Sequence, residues 1–433
     1  MYRYLPGLLL ATACGAQHAA TDPDAPVDDD ATTSEVDAGS GMPTPIKYVV
    51  VIVKENHTFD NYFTGFPGAE SSKTAKLHDG TVITRKKAPD GVLAGDVSHA
   101  HASAVKAWNN GKMNQFDLIV PSDPLRPFYY YAESQIPNYW AYARNFALFD
   151  HFFSTLGGPS SPGHFAVIAS QTPHFGNAAC TDGGDDCAAG CLAAPADATV
   201  PVYNPDTCAT SMAPPCFEVP TVVDALPAGL TWRTYAGGSG TNIATAFNLA
   251  KHIGGVQAQR DAHFRTYTQL RADLASGDMA NFTHVDVSTA PNGASEHPPN
   301  SPCTGENFTV ELVNAIMTGP HWKETAIVIT WDDYGGFYDH VAPPVEKCSN
   351  GSFFNPGFRL PALVISPYAR KAVIKTVTEQ ASIPRLVEDL FGMPRMADTD
   401  PHARDARVGS MLDAFDFSQA PREPLVLHTR TCP

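Results

Sequence analysis

The chain has 433 residues, of which 17% are charged, and a formal net charge of −16. That length accommodates one large α/β domain or two ordinary ones, with ample core. The acidic balance argues against nucleic acid as a partner, because phosphate backbones are gripped by clustered lysine and arginine; a phosphate-bearing substrate would need a local cation to offset the field.

The chain opens on Met1, Tyr2 and Arg3, followed by a short apolar stretch through Leu8, Leu9 and Leu10 to Ala11, Thr12, Ala13 and Cys14. Residues 1–20 read as an export signal, and the small residues before Cys14 are similar to a lipoprotein signal in which that cysteine is lipidated and tethers the chain to a membrane. The expected location is therefore periplasmic, at the cell surface as a lipoprotein, or secreted, with a cytosolic start as the alternative. Residues 21–45 carry Asp22, Asp24, Asp28, Asp29, Asp30, Glu35 and Asp37 with no lysine or arginine and few large apolar side chains. They cannot bury enough surface to fold and read as an acidic tether. No later stretch approaches the ~20 apolar residues of a transmembrane helix, and no Pro/Gly/Ser linker divides residues 46–433, which read as a single domain.

The first apolar run, Ile46 to Val53, passes through Lys54 into Glu55 and Asn56. A run this short and rich in β-branched residues predicts a buried strand of a parallel sheet. Helical patterns follow at Gln135 to Arg144, then an aromatic strand candidate from Phe146 to Phe153 interrupted by Asp150 and His151. A glycine turn at Gly157 and Gly158 leads into Ser160, Ser161, Pro162, Gly163 and His164, which open a predicted helix through Ile168. Residues 176–220 hold five cysteines, many Pro and Gly and little periodicity, and read as a disulfide-stapled insertion. Strands are predicted at Leu230 to Ala236, Thr283 to Val287 and Leu360 to Ser366, and helices at Phe308 to Met317 and Ala381 to Phe391. The second strongly apolar run, Thr325 to Thr330, ends in Trp331, Asp332 and Asp333. Strands alternating with helices predict a layered α/β fold with a parallel sheet.

In open α/β sheets ligands bind at the carboxyl ends of the strands. Glu55, Asn56, Asp332 and Asp333 therefore form a candidate set for a divalent cation, since hard oxygen ligands suit hard or borderline metals. For either run alone the alternative is a strand-end turn with solvated acids. Ser160 begins a helix after a glycine turn, where free N–H groups and the helix dipole favour an anion. A serine hydroxyl needs a base or a metal to become a nucleophile. No G-x-S-x-G elbow surrounds it, and the alternative is a helix N-cap with Pro162 just inside. His99, His297 in Ser295-Glu296-His297-Pro298-Pro299 and His340 in Tyr338-Asp339-His340-Val341 are candidates to bind phosphoryl oxygens or protonate a leaving alcohol. Setting Cys14 aside leaves Cys180, Cys187, Cys191, Cys208, Cys216, Cys303, Cys348 and Cys432. An even number in an exported chain predicts disulfides, with a zinc cluster at Cys187 and Cys191 as the alternative.

Four segments in order resemble the signatures of the bacterial and fungal phosphoesterase family, which holds the non-haemolytic phospholipases C and related acid phosphatases. They are Lys54-Glu55-Asn56-His57-Thr58-Phe59-Asp60-Asn61-Tyr62-Phe63, Trp108-Asn109-Asn110-Gly111-Lys112-Met113, Gly158-Pro159-Ser160-Ser161-Pro162, and the segment from Trp331-Asp332-Asp333 through Asp339-His340-Val341. The resemblance spans about residues 46–395 and implies an alkaline-phosphatase-like fold, a central and mostly parallel sheet between two layers of helices. It further implies a metal-dependent phosphoric ester hydrolase, with Glu55, Asn56, Asp332 and Asp333 as ligands of one or more divalent ions. Ser160 would be the nucleophile that forms a phosphoserine intermediate, His99 would bind substrate, and His297 or His340 would protonate the leaving group. The substrate would be a small phosphate ester or a phospholipid headgroup. Two departures stand out: His164 replaces an Arg or Asn common after the nucleophile loop, and the C-terminal β domains of the larger phospholipases have no counterpart here, so soluble esters are expected to turn over better than packed vesicles. A sulfatase is the enzymatic rival, because Ser160 to His164 approaches S-x-P-x-R with histidine in place of arginine. A tethered binder of phosphorylated ligands, without turnover, is the other.

Overall fold

The computed structural model describes residues 44–177, 190–193, 198–239, 242–243, 245–288, 290–349 and 357–433. The signal and nearly all of the tether expected from the sequence, together with Cys180 and Cys187, lie outside them. Among the described residues no helix is long and apolar enough to cross a membrane.

Eight strands build the central sheet: β1 (Tyr48–Lys54), β2 (Ala147–Phe149), β3 (Trp232–Ala236), β4 (Phe264–Thr266), β5 (Phe282–Asp286), β6 (Thr325–Trp331), β7 (Ala362–Ile365) and β8 (Ala372–Ile374). Their order is β4-β3-β5-β1-β6-β7-β2-β8. Only β7 runs against its neighbours; every other pairing is parallel. The helices that matter below are α1 (Phe59–Phe63), α2 (His101–Trp108), α3 (Pro137–Asn145), α4 (Ser160–Ala169), α5 (Tyr267–Ser276), α6 (Pro302–Thr318) and α7 (Ser382–Phe391).

Side chains alternate across a strand, and here both faces are buried. Val50 and Ile52 of β1 join Ile327 and Ile329 of β6 in a core with Tyr139 of α3, Leu270 of α5 and Val313 of α6. Val49, Val51 and Val53 join Ala326 and Val328 in a second core with Phe165 of α4 and Leu386 of α7. The expected layering of helices over both faces of a mostly parallel sheet is thus observed. It also explains why β1 and β6 read as unbroken apolar runs rather than alternating ones.

The Phe146–Phe153 segment divides at Asp150, which is buried and bound by Arg359 at 3.1 Å; only its first half enters the sheet, while Phe152–Phe153 pairs with Thr378–Glu379. The two strands not expected, β4 and β8, are the outer edges of the sheet. In the cysteine-rich segment, Cys191 pairs with Cys216, which removes Cys191 from any zinc cluster. Cys208 pairs with Cys348 in the loop after β6, so this bridge leaves the insertion. Cys303 at the start of α6 pairs with Cys432.

Candidate active site

Parallel register sets the site. Val53 of β1 lies opposite Asp286 of β5 on one side and Thr330 of β6 on the other, and Lys54 lies opposite Trp331. The residues that follow β1 and β6, and the last residue of β5, therefore emerge at one edge of the sheet. Glu55, Asn56, Asp332 and Asp333 are fully buried there.

Backbone N–H groups orient the paired aspartates. Asp332 Oδ1 accepts from the N–H of Asn56 at 2.8 Å and from that of Asp333 at 2.7 Å. Asp333 Oδ1 accepts from Gly335 N–H at 2.6 Å. Asn56 has a φ of 65°, in the left-handed region that asparagine tolerates better than most side chains. Gly335 passes so close that a Cβ on it would lie 2.1 Å from the Asn56 carbonyl oxygen.

Ser160 is the first residue of α4, and Pro159 occupies the N-cap. The N-cap alternative for Ser160 is thereby corrected: its hydroxyl caps nothing and instead lies 3.3 Å from Asp333 Oδ2 and 3.4 Å from the Asn56 side-chain amide. The Asn56 amide oxygen faces Ser160 and, at 3.1 and 3.2 Å, the two Asp332 carboxylate oxygens, which only accept, while the other end of the amide lies 3.3 Å from Nε2 of His99 and 3.0 Å from Nε2 of His297. Both imidazoles are fixed from behind, His99 Nδ1 by the Val97 carbonyl and His297 Nδ1 by the Pro298 carbonyl, each at 2.7 Å. Ser160, Asn56, Asp332, Asp333, His99 and His297 thus form one group.

Two further residues join it from the Glu55 side. His164 Nε2 lies 2.7 Å from Glu55 Oε1 and 3.6 Å from Asp332 Oδ2, and its Nδ1 lies 3.6 Å from Asp286 Oδ1. His164 appeared in the sequence only as a departure from a motif, and Asp286 was missed. The signal for Asp286 was present: like Glu55 and Asp332, it is an acid at the carboxyl end of a predicted buried strand. His340 makes its contacts elsewhere, with Nδ1 2.7 Å from Asp60 Oδ2. Asp60 is shared with Arg359, which also holds Asp339 at 2.9 Å.

The electrostatics follow from crowding acids where water is scarce. Burial, and then the neighbouring Asp332, push the Asp333 carboxyl up to about 7. Burial opposes charge on His99, but Asp333, Asp96 and Asp332 outweigh it and raise its pKa to about 9. The same contest at His164, with Asp286, Glu55 and Asp332 opposing burial, raises it to about 10. Three buried carboxylates and one amide are a hard donor set that fits a divalent cation.

A profile of the Phosphoesterase family matches residues 46–394. The non-hemolytic phospholipase C of Pseudomonas aeruginosa is 25% identical over 88% of this chain, which spans 58% of that protein's length. Phospholipase C B of Mycobacterium tuberculosis is 26% identical, covering 90% of this chain and 82% of its own length. Among solved structures, a protein in the alkaline phosphatase superfamily from Vibrio parahaemolyticus aligns over 82% of this chain and 69% of its own at 12% identity, with a TM-score of 0.37. The profile covers β1 through α7, including every residue placed in the group around Ser160, and the chain belongs to the Phosphoesterase family.

Proposed function

We propose that this chain is a metal-dependent phosphoric ester hydrolase of the phospholipase C or acid phosphatase type, with Ser160 as nucleophile and a phosphoserine intermediate. The observation that carries the reading is the placement of the Ser160 hydroxyl, at the start of α4 and 3.3 Å from Asp333, beside two histidines that present Nε2 to the same space. The named activities of the relatives agree with it.

Glu55, Asn56, Asp332 and Asp333 would hold a divalent ion, which when bound supplies Lewis-acid stabilisation and lowers the pKa of a neighbouring hydroxyl. The chain's own residues account for the rest. Ser160, ionised with loss of its proton to solvent, attacks phosphorus through Oγ in line with the leaving oxygen, the P–O ester bond breaks, and water later hydrolyses the phosphoserine. His99, held as an imidazolium by the surrounding aspartates, binds an equatorial phosphoryl oxygen through Nε2–H. His297 faces the same space and protonates the leaving alkoxide. His340 was the other candidate for that proton; its bond to Asp60 favours His297. His164 balances Glu55 and Asp332, limiting the negative charge that an anionic ester would meet.

For the substrate we favour a soluble or dispersed ester, on account of the acidic composition. Comparing p-nitrophenyl phosphate, p-nitrophenylphosphorylcholine and a p-nitrophenyl sulfate, then phosphatidylcholine in micelles and vesicles, tests the reading. Hydrolysis of a phosphate ester with no action on sulfate is expected; sulfate turnover alone would overturn it.

A further inference from the structure

Three of the chain segments that deliver the site meet at one buried carboxylate, each through the residue just before its site residue. Lys54 precedes Glu55, Glu296 precedes His297, and Trp331 precedes Asp332; all three are fully buried. Lys54 and Trp331 are register partners at the ends of β1 and β6. Both grip Glu296, Lys54 Nζ at 2.9 Å from Oε1 and Trp331 Nε1 donating to Oε2 at 3.0 Å. The hydroxyls of Tyr139 and Tyr62 donate to Oε1 and Oε2 at 2.5 and 2.8 Å, so two groups hold each oxygen.

The lysine is equally enclosed. Its Nζ donates to the carbonyls of Ala294 and Gly305 at 3.0 Å and to Thr309 Oγ1 at 3.2 Å. A buried ion pair so fully bonded is weak evidence for stability but strong evidence for a fixed geometry. The chain also accepts strain to place it: Glu296 has a φ of 76°, and a Cβ on Gly305 of α6 would sit 2.2 Å from Glu296 Cγ. None of these groups contacts Ser160. What the carboxylate does touch is the residue next to Glu55 and the residue next to Asp332, while its own backbone continues into His297.

We propose that Glu296 is a positioning residue for the hydrolysis. By holding Lys54 and Trp331 it sets the direction in which Glu55 and Asp332 leave the sheet, and through its own left-handed backbone it places His297. This inference rests on the reading of the site given above.

Trp331→Phe tests it, because that variant keeps an aromatic body in the core and removes only the donor to Glu296. Leu386→Ala, in the core on the other face of the sheet, serves as a comparator that lowers Tm without touching the network. We expect Trp331→Phe to bind Mn2+ or Zn2+ at least about 10-fold more weakly by calorimetry, and to lower kcat at least about 10-fold with KM within about twofold. Leu386→Ala should keep both values within about twofold despite its lower Tm. Glu296→Gln, if it folds, should show a larger loss in the same direction. Ion affinity is read without turnover, so a wild-type protein inactive on every ester would defeat the functional reading alone. Wild-type ion affinity and kcat in Trp331→Phe, or no ion binding in the wild type, would overturn the positioning role.

Discussion

Asp332 and Asp333 are adjacent, fully buried, and oriented by backbone N–H groups so that one oxygen of each turns toward Ser160 or His164. Burial first, and then repulsion between two acids held this way, push the Asp333 carboxyl up to about 7 in the metal-free protein. Asp333→Asn keeps the shape and relieves the repulsion. It should stabilise the chelator-treated protein by about 1 kcal/mol or more while lowering activity by about 1000-fold or more; a lower Tm in chelator would contradict this. Ser160→Ala should likewise lower kcat by at least about 1000-fold. Its Tm should stay close to wild type, because the Ser160 hydroxyl caps no helix. Ser161→Ala is the comparison, since Ser161 Oγ meets His174 Nε2 at 2.9 Å rather than Asp333; its kcat should fall less than about tenfold.

At the scale of elements, α4 and the end of β6 touch backbone to backbone. A Cβ on Gly163 would lie 2.0 Å from the Asp332 carbonyl oxygen, and Gln380, two residues before α7, donates both to that carbonyl and to that of Trp331, the latter at 3.2 Å. Gly163→Ala must therefore push α4 off the end of β6. A displacement near 1 Å costs on the order of 100-fold in a positioned reaction, so kcat/KM should fall by about that factor in protein that still unfolds cooperatively; wild-type kcat/KM would show that the contact is not needed. β1, β6, α4 and α7 were legible in the sequence to within two residues at each end, because each carries a strong pattern or a sharp boundary. β4 and β8 were not. They are three-residue edge strands, half-exposed in places, and a pattern that short is indistinguishable from loop. α2 was also missed, since His101 to Trp108 is rich in alanine and its apolar side is narrow.

For the whole molecule, legibility followed whether a residue's role is local or assembled. Glu55, Asn56, Asp332 and Asp333 could be picked out because strand ends are a place that sequence marks. Asp286 stands at such a strand end and was passed over, Glu296 acts through partners more than thirty residues away, and His340 looked like a site residue because its motif is close to Asp332 in sequence while its bond is to Asp60. Buried histidines also set the acid limit of the fold. Burial depresses His174 to about 3 and His284 to about 4, from 6.5. Each stays neutral in the folded state, so its contribution is present above pH 6.5 and is lost as pH falls toward those lower values. Denaturant unfolding should show stability declining by up to about 1.4 kcal/mol per pH unit for each residue below that point, and His174→Gln should flatten the slope; an unchanged slope would remove His174 from the account. The most direct test of the central claim is to quench the intact protein during turnover of p-nitrophenyl phosphate and read the mass of its peptides. One added phosphoryl group is expected on the peptide carrying Ser160, absent from Ser160→Ala. Steady turnover with no phosphorylated peptide, and a Ser160→Ala variant that still turns over, would contradict it.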